Sequence, residues 1–83
     1  MQGQRVRYRS TWQKGDEPRP GSYWSGPDGW SGVTPNGHHC NLSKHHVTEH
    51  EDGTITVSPS ILVNGGQKGS WHGYLEHGVW REC

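Results

Sequence analysis

Thr54-Ile55-Thr56-Val57-Ser58-Pro59-Ser60-Ile61-Leu62-Val63 is the longest run of this chain rich in β-branched residues. Side chains branched at Cβ pack well on a pleated surface and lose rotamer freedom in a helix, so the run reads as a strand. It is entered through Glu51-Asp52-Gly53-Thr54. Asp-Gly at that place predicts a two-residue hairpin turn with both central residues at positive φ. Residues 44–50 then supply the partner strand. A turn at Asp52-Gly53 sets Glu51 opposite Thr54, Glu49 opposite Thr56 and Val47 opposite Ser58. His46, Thr48 and His50 would then share a face with Ile55 and Val57. Pro59 has no N–H to give a ladder and belongs at an edge, a bulge or a strand end. Asn64-Gly65-Gly66 breaks the run downstream.

The segment from Ser70 to Cys83 repeats this logic around His77-Gly78. A two-residue turn there pairs Leu75 with Trp80, Tyr74 with Arg81 and His72 with Cys83. An imidazole and a thiol then stand directly opposite, with Cβ atoms about 4.5–5.5 Å apart. Trp71, Leu75 and Trp80 fall on the other face as a core cluster.

Upstream, Arg5, Arg7 and Arg9 alternate with Val6 and Tyr8, a period-two pattern with one charged face. It reads as an edge strand whose arginines discourage edge-to-edge association. A phosphate-contacting arm and a disordered tail are the alternatives. Lys14-Gly15-Asp16-Glu17-Pro18 closes the segment as a turn. Residues 21–37 hold too much glycine and proline for a helix. Pro27-Asp28-Gly29 suits a turn with proline at its second position, flanked by Trp24 and Trp30. Those tryptophans form a packed cluster or an aromatic platform for a ligand, on either an ordered coil or a flexible loop.

Composition sets the scale. The 83 residues include 13 Gly, five Trp and no Phe, and only 27% are hydrophobic. They are expected to form one domain, an all-β fold built as a small antiparallel sheet of hairpins. Residues 38–83 would be the β core, and residues 1–37 an arm and a long Gly/Pro/Trp-rich loop. A core this poor in aliphatics depends on its aromatic side chains and calls for a staple: a metal, a disulfide or a partner subunit. Formal net charge is zero with His neutral, which gives no general pull toward nucleic acid or an anionic membrane. No apolar run is long enough to span a bilayer, and no apolar leader opens the sequence, so the expected setting is cytoplasmic.

Seven histidines and two cysteines carry the chemistry on offer. Cys40 and His45 have a Cys-x4-His spacing, and His72 with Cys83 would complete a tetrahedral zinc site of zero net charge. Two other readings stand beside it: histidines solvated on strands with Cys40 a buried thiol, or a Cys40–Cys83 disulfide. A zinc with an open position would permit hydrolysis. No nucleophile elbow, phosphate loop or paired-carboxylate motif accompanies it, so no enzyme is expected.

The residues Asp52–Ile61, then Trp71-His72-Gly73-Tyr74-Leu75 and Gly78-Val79-Trp80, resemble a loose group of small proteins of bacteriophages and their hosts that share a Ser-Pro-Ser-Ile signature. The resemblance covers about residues 38–83 and leaves residues 1–37 outside it. It implies a phage context and a zinc-ribbon-like β fold, but no reaction. Many of the group carry a paired-Cys knuckle and a later Cys-His pair. This chain departs from that pattern, with Cys40 alone in the first position and Trp71 beside His72 in the second.

The function expected is a non-enzymatic module that binds a protein partner, a host protein in the host cytoplasm. The alternative is a virion component that decorates a capsid or tail surface. Arg5, Arg7, Tyr8, Arg9, Trp12, Trp24 and Trp30 are the expected contact residues, because Trp, Tyr and Arg dominate binding hot spots.

Overall fold

The structure is a computed structural model that describes residues 1–63 and 69–83. The expected chain break at Asn64-Gly65-Gly66 lies outside the described residues. Eight strands form two four-stranded sheets, and no helix occurs among the described residues. The first sheet holds β1 (Gln4–Arg5), β2 (Ser22–Gly26), β3 (Gly29–Val33) and β4 (His39–Asn41), in that order. The second holds β5 (His46–Glu49), β6 (Ile55–Val63), β7 (Trp71–Glu76) and β8 (Val79–Glu82), also in chain order. Every pairing is antiparallel except β1 with β2, which is parallel.

Two sheets in place of one is the main correction to the sequence reading. Most of residues 21–37 is paired strand and not coil or loop: Gly26-Pro27-Asp28-Gly29 turns β2 into β3, with Pro27 at the second position as expected, and residues 34–38 form the loop to β4. Glycine read there as excluding a helix also makes space within the strands. Tyr23 lies opposite Gly32, and a Cβ on Gly32 would come within 3.4 Å of the Trp80 ring. Glycine in a strand often marks such a close approach.

The second sheet carries both predicted hairpins, one in the expected register. His77 (φ 47°) and Gly78 (φ 77°) are both left-handed, the requirement of a type I′ turn. Leu75 faces Trp80 and Tyr74 faces Arg81, while Cys83 N donates to His72 O at 2.9 Å. The Asp52-Gly53 turn differs by one residue. Of its residues only Gly53 takes positive φ (88°), and the loop is Glu51-Asp52-Gly53 between His50 and Thr54, with His50 N donating to Thr54 O at 2.8 Å. Val47 therefore faces Val57 and Thr48 faces Thr56. His46, Thr48 and His50 share their face with Thr56 and Ser58, not with Ile55 and Val57. Pro59 sits where the β6–β7 register shifts, between Val57 and Ile61, in the bulge its missing N–H demands.

The buried core draws on both sheets: Tyr23 and Leu42 from the first half of the chain, Ile55, Val57, Ile61, Trp71, Leu75 and Trp80 from the second. Trp71 and Trp80 meet edge-to-face at 5.6 Å, and the Trp80 indole donates to Gly21 O at 2.8 Å. Each of these side chains contributes about 1.5–3 kcal/mol through burial. Residues 1–6 join the sheets along one side. Gly3 N donates to Gly78 O and Trp80 N to Met1 O, beside a Gln2–Val79 bridge to β8. Gln4 N then donates to Gly21 O and Val6 N to Tyr23 O, toward β2. The N-terminal segment is thus an edge strand to the first sheet and a partner to the second.

Candidate functional site

The residues expected to contact a partner divide into packed and exposed groups. Trp24, expected at a partner contact, is buried, 7% exposed, on the outer face of the first sheet. Trp12 reaches back from the arm to pack edge-to-face on it at 5.6 Å, with the His39 ring at 6.2 Å on Trp24. Trp30 packs against the core, and the Arg5 guanidinium lies 5.0 Å from the centre of its ring. Arg5 also donates to Glu49 Oε2 at 2.7 Å and to Gly53 O at 3.1 Å, tying the first sheet to the first hairpin of the second. Arg5, Trp24 and Trp30 make contacts within the chain, and Arg5 stays exposed together with Arg7, Tyr8 and Arg9.

The expected zinc ligands do not converge. Cys40 faces inward from β4, half-buried against the core, where its thiol donates to Gly32 O at 3.4 Å. Burial pushes this thiol up to about 11, with the Gly32 contact pulling weakly the other way. His45 follows β4, and its Nδ1 is buried with no hydrogen-bond partner. His72 and Cys83 lie on the opposite, solvent side of the second sheet, where His72 Nε2 shares a hydrogen bond of 2.9 Å with Ser60 Oγ. The predicted pairing of His72 with Cys83 is present, but strand alternation points it away from Cys40. Among the described residues no group of three or more His, Cys, Asp or Glu is placed to hold a metal ion. The two thiols are not joined to each other: Cys40 is half-buried and Cys83 exposed.

A polar cluster absent from the sequence reading closes one end of the second sheet. The rings of His50 and His77 stack at 3.9 Å, 11° from parallel. Thr56 Oγ1 lies between the two turns, sharing a hydrogen bond of 2.7 Å with His50 Nε2 and accepting one of 3.0 Å from His77 N. Asp52 Oδ1 accepts from Thr54 N and Thr54 Oγ1, and these bonds hold its carboxyl below the usual carboxylate range. The register shift at Gly53 made this cluster invisible, since it moves His50 onto the face of Thr56.

The open surface lies on the outer face of the second sheet. Leu62 (60% exposed) stands opposite His72, and Tyr74 (41% exposed) stands opposite Arg81. Leu62 and Tyr74 are diagonal neighbours across β6 and β7, close enough for an aromatic side chain to span. Arg81 is paired with Glu76 beside them. The strand alternation of Ile61-Leu62 and Trp71–Leu75 carried this signal, once the inward residues were known. No family model matches the chain, and no curated protein or solved structure is detectably similar to it.

Proposed function

We propose that the chain is a non-enzymatic interaction module that binds a protein partner through the outer face of its second sheet. One observation carries the reading: Leu62 and Tyr74 are exposed as diagonal neighbours on a sheet whose other face packs into the core. Their surroundings are mixed and balanced, with His72, Glu76 and Arg81 at the margin. A patch of this kind, in a chain of zero formal net charge, suits a protein surface better than a polyanion. Tyr and Arg are also residues that bury large area at modest entropy cost when a complex forms. The phage resemblance of residues 38–83 supplies the setting, with a host protein as the partner and a capsid or tail protein as the competing one.

Photo-crosslinking in the producing cells tests this. A crosslinking residue in place of Leu62 or Tyr74 should give the same single protein adduct, and one placed at the opposite turn, at Asp28, should not. The identity of the adduct separates a host protein from a virion protein. Adducts at Leu62 and Tyr74 no different from those at Asp28 would remove the proposal.

A further inference from the structure

Between the arm and the first sheet lies a second, half-open feature, independent of the Leu62–Tyr74 face. Residues 7–20 cross the outer face of the first sheet and leave a cavity of about 320 Å³ beneath them. Its floor is the outward side of Gln4, Val6 and Ser22, and its walls are Trp12, Asp16 and Glu17. This volume is at the small end of the range for ligand pockets and suits one side chain or a small molecule.

We propose that this cavity is a binding site for a guanidinium group, the side chain of an arginine belonging to another molecule. The chain demonstrates the chemistry on itself. The Arg9 guanidinium lies 5.9 Å from the centre of the Trp12 ring and 3.4 Å from Asp16 Oδ2, so two of the walls already hold such a group at the rim. A planar, weakly hydrated cation is the species that gains from an aromatic face and a carboxylate together. The Arg9–Asp16 pair is more than half exposed on both sides, 55% and 55%, and solvent screening leaves such pairs weakly held. Exchange for an incoming arginine therefore costs little. Charge supports the same ligand: with Arg9 displaced, Asp16 and Glu17 face only Arg19 among the lining residues, a surplus of one negative charge for one guanidinium to neutralise.

The test uses the full-length chain, labelled with nitrogen-15, and Nα-acetyl-arginine methylamide as the probe. Titration should give saturable shifts at the Trp12 indole N–H and the Ser22 amide, with Kd on the order of 1 mM, as expected for a ligand of this size. The citrulline analogue, equal in shape but uncharged, should produce none, and the lysine analogue should bind more weakly. Arg9→Ala should tighten binding about two- to five-fold, the range an exposed ion pair allows. Asp16→Asn should weaken it at least as much while leaving the melting temperature in place, since Asp16 is exposed. Absence of saturable shifts in both the parent chain and Arg9→Ala would overturn the proposal. Equal binding of the citrulline analogue, or an unchanged affinity in Asp16→Asn, would overturn it too.

Discussion

Both sheets give one face to the common core, and they differ in what they do with the other. The first sheet puts Trp24 and Val33 on its outer face, and the chain buries both, with Trp12 brought back over Trp24 by residues 7–20. The second sheet puts hydroxyls, imidazoles and charges outside, and leaves Leu62 and Tyr74 in water. Covering a face requires ordering a length of chain, and that cost is recovered only where enough apolar area lies beneath. The arm therefore belongs to the stability of the first sheet, and the bare face of the second is where binding can be had without disturbing the fold.

The largest effect should come from the residue common to both sheets. Trp80→Ala removes a buried ring and the indole hydrogen bond to Gly21 O, and is expected to cost about 3–5 kcal/mol. In a chain this small that loss should be seen in urea unfolding as a protein with little or no folded baseline. A folded variant with most of its stability would mean that the sheets cohere without Trp80.

Trp24→Ala should come next, at about 2–4 kcal/mol, because it empties the space beneath Trp12. Its signature should be confined: chemical shifts of the arm and first sheet should move, and those of Tyr74 and Leu62 should stay. Uniform disturbance of both sheets would erase the distinction drawn between them.

Cys40 and Cys83 sharpen the comparison by pH. Cys40 ionises in the folded state near 11, against an ordinary value of 9.0, because burial disfavours the thiolate. A folded pKa above the unfolded one means the contribution is intact below pH 9 and is lost as pH rises from about 9 to about 11. At 1.36 kcal/mol per unit it amounts to at most about 2–3 kcal/mol. Stability curves of the parent chain and Cys40→Ala should converge over that window. Alkylation at neutral pH should modify exposed Cys83 well before Cys40. Equal rates would place Cys40 at the surface.

Smallest of all should be the cost of altering the bare face. Tyr74→Ala and Leu62→Ser should each change stability by about 0.5 kcal/mol or less, a shift of no more than about 4 °C in Tm. A larger loss would show that the face is load-sharing in the fold and not held in reserve for a partner.

How much of this could be seen beforehand depends on how degenerate each local signal is. His77-Gly78 had one solution, and the hairpin, its register and the Trp71–Leu75–Trp80 cluster followed from it. Asp52-Gly53 had two. An Asp-Gly pair serves a two-residue turn with both residues left-handed, and it also serves a three-residue turn with glycine alone left-handed. The bonds from Thr54 to Asp52 Oδ1 accompany the second. A slip of one residue exchanges faces, so the histidines of β5 were assigned to the wrong one. Residues 21–37 were misread for another reason. Glycine signals backbone freedom, and nothing local tells that the freedom is used to admit a tryptophan from 48 residues later, as Gly32 does for Trp80. The exposed face hid within Ile61-Leu62-Val63, where three apolar neighbours do not say which one looks outward.

The pairing of residues 1–6 with both sheets also orders events in time. Gly3 cannot make its bond to Gly78, nor Met1 accept from Trp80, until residues 78–80 have been synthesised. Pairings between segments so far apart in sequence close slowly, because loop entropy must be met before they form. On the ribosome residues 1–6 are made well before β8 and settle only after it. Until they do, β2 lacks its parallel neighbour and β8 offers an open edge. Such an edge is a template for pairing with other chains, so misassociation is most to be expected in the interval between synthesis of β8 and the docking of residues 1–6.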